Sequence, residues 1–294
     1  MDTLIARIDR SLKSFSKGQR RIAEFISASY DDAAFMTAAK LGERAGVSES
    51  TVVRFAYALG FDGYPALQEA MQDMIRRRLT SAERIRLTTN LSKDDVLHTV
   101  LTADMNNIRL TVDMMDNESF SGAIDALLTA RRIYVLGSRS AAALAQFLTY
   151  YLDYVCDNVV RVGGAGQDTY ESMLRAGGED VCFAISFPRY STNTIEAMRF
   201  AKSKGATVIA LTDQHNSPLA EHADYTLLAH SDMASFADSL VAPMSMLNAV
   251  IVAVGLARKD AAYAHLSQLE QVWQSKGVYV TDEGKDKDKD KGNA

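Results

Sequence analysis

Three short segments concentrate side chains that could do chemistry. Ser48, Glu49, Ser50 and Thr51 crowd three hydroxyls and a carboxylate directly after Gly46-Val47, and Arg54 follows one turn later. Hydroxyls and a guanidinium at the head of a helix suit backbone phosphates and base edges, and arginine can hold guanine through two hydrogen bonds. Farther along, Gly137 leads into Ser138-Arg139-Ser140, and Ser186 opens a run through Arg189, Ser191, Thr192 and Thr194. Each run follows a short apolar stretch and precedes a segment able to form a helix. Such turns favour an anion, because free backbone amides and the helix dipole point at it. Hydroxyls there also serve simply as helix caps.

Groups for catalysis are sparser. An aldose–ketose isomerase needs a base near a carbonyl-adjacent proton, usually Glu or His. Glu171, Glu196, His215, His222 and His230 are the candidates, but Glu196 with Asn193 has the spacing of a cap pair, and His215 and His222 flank a loop and short helix. Neither a Ser-His-Asp triad nor a Walker loop nor a metal cluster stands out. Cys156 and Cys182 lack CxxC spacing, cannot build a closed zinc site, and fit a reducing cytosol. No catalytic residue, metal or cofactor is therefore expected.

The elements that must position these groups change character along the 294 residues. Up to residue 78 the chain reads as consecutive short helices. Ser16-Lys17-Gly18-Gln19 is a capping box, with Ile22, Phe25 and Ile26 on one face behind it. Thr37 to about Ala45 forms a helix with Ala38 and Leu41 inward, Gly46-Val47 is a tight break, and Ser48 caps a third helix that Gly60 ends. This is helix-turn-helix spacing, with Val47 and Val52 expected to bury between helices that small Gly42 lets approach. Residues 79–117 read as a helical connector in which Ser92 with Asp95 caps a long helix, and a shorter helix follows from about Glu118 to Ala130.

From Arg132 the period shortens. Runs at 133–136, 159–162, 181–185 and 207–211, with a weaker one at 225–228, alternate with helical segments. That alternation predicts a three-layer α/β domain over 118–276, with a five-stranded parallel sheet. Ser239–Ala257 is uncharged and nearly long enough to span a bilayer, yet Ser239, Pro243, Ser245 and Asn248 interrupt it, so a buried helix covering the sheet is expected. Residues 277–294, with alternating Lys and Asp, read as a solvated tail. The start shows no sign of a signal peptide. Charge is asymmetric: through Arg78 there are 12 Lys/Arg against 10 Asp/Glu, and beyond it 20 against 27. A mildly basic head on an acidic body points toward a polyanion at the N-terminal end.

The stretches SKGQRRIAEFI and LGERAGVSESTVVRFAYALGF, followed by Gly63-Tyr64, resemble the N-terminal domain of the RpiR family of bacterial transcriptional regulators. The resemblance implies that Lys17, Gln19 and Arg20 contact phosphates. The later element order, with Ile209-Ala210-Leu211-Thr212-Asp213 and Ser217-Pro218-Leu219-Ala220, resembles the SIS, or sugar-isomerase, domain that follows the helix-turn-helix in that family. Its usual ligand is a phosphosugar held by a Ser-x-Ser-Gly-x-Thr loop. This chain departs twice: the third loop is about three residues longer, with Thr192 where the family's glycine would fall, and Arg139 replaces a usual glycine in the first. Both changes bring an arginine toward the implied pocket.

The expectation is a cytoplasmic, homodimeric or homotetrameric regulator. It would bind duplex DNA through Lys17, Gln19, Arg20, Ser48, Glu49, Ser50, Thr51 and Arg54. A small anionic metabolite, phosphosugar or carboxylate, would bind at Ser138, Arg139, Ser140, Ser186, Arg189, Ser191, Thr192 and Thr194. The alternative is a sugar-phosphate isomerase.

Overall fold

Ser16 does what its spacing predicts: its hydroxyl accepts from the Gln19 amide while the Gln19 side chain accepts from the Ser16 amide, and α2 (Lys17–Ala28) starts there. Before it lies α1 (Leu4–Ser11), and after it α3 (Tyr30–Ala33), α4 (Ala38–Ala45), α5 (Glu49–Ala58) and α6 (Tyr64–Arg78). The computed structural model describes residues 4–78, 85, 94–163, 169–232 and 237–280. The expected Ser92 cap and the Lys-Asp tail from 285 lie outside them. One compact unit lies within Met1–Asp95, and the other is built from Val96–Ala234 and Asp238–Ala294.

The helical unit closes around Ile22, Ile26, Leu41, Val52, Phe55 and Leu67, all fully buried, with the Phe15 ring 5.1 Å from Phe55. Val52 buries as expected, whereas Val47 is only half-buried, because it sits on the turn between α4 and α5. That turn requires glycine twice. Gly46 ends α4 at φ +66°, in the left-handed region. A Cβ on Gly42 would stand 2.9 Å from the Val47 carbonyl oxygen, so only glycine lets the chain return that closely over α4.

In the second unit, α7 (Val96–Asp113) and α8 (Asn117–Thr129) precede alternating β1 (Arg132–Gly137), α9 (Ala141–Leu152), β2 (Val159–Val162), α10 (Thr169–Ser172), β3 (Asp180–Ile185), α11 (Thr192–Ser203), β4 (Thr207–Thr212) and β5 (Tyr225–Leu228). Then come α12 (Val241–Ala257) and α13 (Lys259–Lys276). All strand pairings are parallel, in the order β2-β1-β3-β4-β5. Alternation along each strand sorts side chains to the two faces. Ile133, Val135, Phe183 and Ile185 pack with α8, α9 and α12, while Tyr134, Leu136, Cys182 and Ala184 pack with α11. This is the expected three-layer α/β architecture.

Gly137 marks where β1 hands over to α9. A Cβ there would lie 2.5 Å from the Ala141 carbonyl oxygen and 2.9 Å from the Ala145 methyl group. Gly137→Ala is therefore expected to destabilise the sheet unit by about 1–3 kcal/mol, the usual cost of overpacking, measured by denaturant unfolding. An unchanged midpoint would contradict the close approach.

One sequence expectation changes. The uncharged segment forms a 17-residue helix whose inner face is buried, but Val252 and Leu256 are 58% and 71% exposed, so it is not a fully covered core helix. Among the described residues no single helix is long and apolar enough to cross a membrane.

Candidate functional site

The helix-turn-helix residues assemble through α2 and α5. Ser48 occupies the N-cap position of α5, but its hydroxyl caps no amide: it lies 3.0 Å from the Ser50 hydroxyl and 2.8 Å from that of Thr51. The sequence expectation of a Ser48 cap is corrected accordingly, since three neighbouring hydroxyls satisfy one another. Glu49 opens the helix, where its charge complements the dipole. Arg54 is exposed and its Nε donates to the Ser50 carbonyl at 3.3 Å, which uses only one of the five guanidinium N–H donors.

The head of α2 lies beside this edge. A Cβ on Gly18 would meet the Thr51 methyl at 3.1 Å, and Arg21 Nη1 donates to the Gly46 carbonyl at 3.0 Å, pinning the turn. Lys17 and Arg20 are exposed on the first turn of α2, while the Gln19 side chain is engaged in the capping box. Two residues escaped sequence reasoning. Arg21 positions the turn across 25 residues, which spacing does not reveal. Tyr57, 60% exposed, continues the face of Ser50 and Arg54 at the i, i+4, i+7 spacing.

In the second unit, sheet order fixes the other site. The chain leaves β1 toward β2 on one side, while β3 lies on the other, so strand order reverses between β1 and β3. Ligands of open parallel sheets bind beyond the strand carboxyl ends at such a switch point. Ser138, Arg139 and Ser140 follow β1 there, and the Ser186-to-Thr194 run follows β3, with Gly137 and Ile185 in register. The two loops touch: the Thr194 hydroxyl donates to the Ser138 hydroxyl at 3.1 Å, across 56 residues. Ser186 and Thr194 are buried. The Ser186 hydroxyl accepts from the Ser191 amide at 3.1 Å, and the Ser191 hydroxyl from the Thr194 amide at 3.4 Å.

Ser191 is thus the N-cap of α11, and the expected Asn193–Glu196 cap pair is overturned: Glu196 instead pairs with Arg199 at 3.2 Å. The helix begins one residue before Asn193 because Ser186 draws the Ser191 backbone inward. Ser140, Thr192, Arg139 and Arg189 are exposed around the junction. Behind it, Tyr190 donates to Asp213 Oδ1 at 2.6 Å, tying the longer loop to the end of β4.

Arg139 and Arg189 share a backbone peculiarity. Among the described residues they alone, other than glycine, have positive φ, at +57° and +65°. An L-residue in the left-handed region costs roughly 1–2 kcal/mol relative to the right-handed one. One such arginine stands in each of the two loops at the switch point.

A cavity of about 250 Å³ lies elsewhere in this unit, among α7, α8, β5 and α12, and is lined mainly by apolar groups. Of the isomerase candidates, Glu196 lies on α11, Glu171 on α10, His222 in the single turn Ala220–His222, and His230 follows β5. Among the described residues no cluster of His, Cys, Asp or Glu could hold a metal ion. Both cysteines are buried, and burial pushes the Cys182 thiol up to about 12.

Comparison with known proteins gives matches to both units. Residues 2–77 match the helix-turn-helix domain of the rpiR family, and residues 126–253 match the SIS domain. An uncharacterized HTH-type transcriptional regulator of Haemophilus influenzae is 26% identical over 234 residues, covering 76% of this chain and 79% of that protein. The sugar isomerase domain of an RpiR transcription factor from Sphaerobacter thermophilus superposes with a TM-score of 0.58 at 24% identity, over 60% of this chain and 99% of that one. The Vibrio vulnificus NanR protein, complexed with ManNAc-6P, shares the fold over 95% of this chain and all of its own, with a TM-score of 0.57 and 19% identity.

Proposed function

Because the chain belongs to the RpiR family of helix-turn-helix transcriptional regulators with a SIS domain, we propose that its operator affinity is set by a small anionic metabolite held where β1 and β3 end. The observation that carries this reading is the Ser138–Thr194 hydrogen bond, which joins two hydroxyl-rich loops at the switch point with an arginine in each. Arginine presents a planar fork of donors that matches phosphate or carboxylate through paired hydrogen bonds. Ser138, Ser140, Ser186, Ser191, Thr192 and Thr194 supply the hydroxyl lining, and Arg139 and Arg189 supply the charge. A phosphosugar in the fold-related NanR complex supports the class.

The body acts as a sensor and not as an isomerase. Glu196 is paired with Arg199 on the exposed side of α11. A turnover assay with aldose and ketose phosphates is expected to give no interconversion above buffer. Steady turnover abolished by Glu171→Gln or His230→Gln would replace this reading with catalysis.

The head reads duplex DNA through Ser48, Glu49, Ser50, Thr51 and Arg54 in the major groove, with Lys17, Gln19 and Arg20 on phosphates. Two heads on a two-fold assembly meet half-sites about one helical turn or a multiple apart. Effector control requires that the metabolite bind the DNA-competent and DNA-incompetent arrangements with different affinity. Arg20→Ala should weaken binding similarly across sequences and flatten the log K against log salt slope by about 1 per protomer. Tyr57→Ala should lower operator affinity by a few fold, roughly 1 kcal/mol, with helicity unchanged. Both are read by fluorescence anisotropy, and an unaltered salt slope in Arg20→Ala would remove that residue from the phosphate contacts.

A further inference from the structure

Helix α7 begins at Val96, where the chain leaves the helical unit, and the two of its residues that are buried, Asn107 and Thr111, are both polar. Buried polar groups need hydrogen-bond partners, so the seat of this helix is directional. Thr111 accepts from the His230 amide at 2.9 Å and donates to the Asn107 carbonyl at 2.8 Å. Asn107 Nδ2 donates to the Asp232 carbonyl at 2.8 Å, and Asp104 accepts from the Ser239 hydroxyl at 2.6 Å. His230, Asp232 and Ser239 all lie between β5 and α12.

The start of that segment is tied in turn toward the loop after β3. Ala229, next to His230, donates its amide to the Thr212 carbonyl at the end of β4, at 2.9 Å. Both residues are fully buried, so this bond works in a low dielectric. The Thr212 hydroxyl donates to Asp213 Oδ1 at 3.2 Å, and Tyr190, beside Arg189, donates to the same oxygen at 2.6 Å. A series of bonds thus runs from Tyr190 through Asp213, Thr212, Ala229 and His230 to Thr111. Such a series couples two places only where an element along it has two arrangements. Three observations mark α7 and β5 as that element. β5 is an edge strand, paired with β4 alone. Asn107 Oδ1 is buried without a hydrogen-bond partner among the described residues, at a usual cost of about 1–3 kcal/mol. The hollow of about 250 Å³ lined by Ile108, Thr111 and Val112 leaves room beside α7.

We propose that Tyr190 and Thr111 are positioning residues for effector control, which link the order of the Arg189 loop to the seating of α7. A ligand that orders the loop firms the Tyr190–Asp213 bond, and with it the β4 and β5 ends on which α7 rests. Linkage is reciprocal, so loosening α7 loosens the loop. This link rests on reading the loops as the effector site, and it supplies the step from there to α7.

Hydrogen exchange read by mass spectrometry on the full chain, without DNA or metabolite, tests it. Tyr190→Phe keeps the ring and removes the donor. Amides of 229–232 and of α7 are expected to exchange at least about fivefold faster, the low end of ordinary coupling, while α9 and α13 keep their wild-type rates. Thr111→Val removes the acceptor at the far end and should speed exchange across 186–194 by a similar factor. Thr111→Ser, which keeps the hydroxyl, should return both segments to wild-type rates. Thr149→Val deletes a helical hydroxyl outside the series, bonded to the Ala145 carbonyl at 2.8 Å, and should leave both segments unchanged. Circular dichroism checks that all stay folded, and Tyr190→Phe decides alone if Thr111→Val does not fold. A response confined to the mutated segment, or one spread evenly over the unit, overturns the proposal. If the rates respond as expected and no sugar phosphate or sugar acid shifts operator binding, the effector reading falls and the link stands. An operator response without linked rates does the reverse.

Discussion

Arg54→Ala is expected to lower operator affinity by about 1–3 kcal/mol per head, hence by roughly 2–6 kcal/mol for a two-headed complex, while leaving the fold unchanged. The size follows from chemistry: a guanidinium in contact with guanine makes two charge-assisted hydrogen bonds, which alanine cannot replace. The neutrality toward folding follows from geometry, since Arg54 is exposed and gives up only one bond, from Nε to the Ser50 carbonyl. Anisotropy titrations with the DNA upstream of the chain's own gene, and with single-base variants of it, separate two origins of the loss. A base contact predicts that the variant becomes indifferent to one position of each half-site. A phosphate contact predicts a uniform loss with a flatter salt dependence. An affinity within a factor of two of wild type would remove Arg54 from the reading face.

The second large effect has opposite signs in stability and in sensing. Arg139 and Arg189 sit at φ +57° and +65°, where glycine rests without strain. Arg139→Gly and Arg189→Gly should each relieve roughly 1 kcal/mol of that strain, against which the gain of unfolded-chain entropy by glycine subtracts some tenths to 1 kcal/mol. Folding stability is thus expected to hold or rise slightly. Binding of an anionic effector should fall steeply, by about 1.5–3 kcal/mol per guanidinium lost, so that the double variant loses on the order of 10²–10⁴ in affinity. A residue kept in a costly backbone conformation is the pattern of a site that trades stability for function. If both variants lose stability by more than 1 kcal/mol, the arginines hold the loops together; chemical denaturation read beside calorimetric titration with sugar 6-phosphates distinguishes the cases.

Much of the architecture was legible because it rests on local rules. Beta-branched and aromatic runs announced all five strands, and Ser16 with Gln19 announced the start of α2. The turn at Gly46 was legible because only a left-handed residue ends α4 so tightly. What failed was choice among equals. Between Ser186 and Thr194 several side chains are competent caps, and spacing favours Asn193 with Glu196. The winner, Ser191, is selected by the buried Ser186 hydroxyl, which accepts from the Ser191 amide after β3 ends. Likewise Ser48 had the right type and place for a cap, but Ser50 and Thr51 offered its hydroxyl nearer partners.

The candidate sites needed information that local pattern does not hold. Which strand ends lie side by side depends on sheet order, and the contact between Ser138 and Thr194 spans 56 positions. Positive φ at two arginines contradicts their propensity, so no window of residues predicts it. Uncharged Ser239–Ala257 reported that something apolar covers it, and nothing about whether the cover comes from the same chain. The structure buries one side of that helix and leaves Val252 and Leu256 open on the other.

The most direct test of sensing coupled to DNA binding is the operator dissociation constant of the full-length protein, titrated with a panel of hexose and hexosamine 6-phosphates and sugar acids. At least one of these should shift that constant by about 5–150-fold, the usual span of allosteric coupling. The shift should vanish in Arg139→Gly/Arg189→Gly, whose operator affinity without metabolite stays at the wild-type value. A shift that survives undiminished in the double variant would place the effector elsewhere and contradict the account.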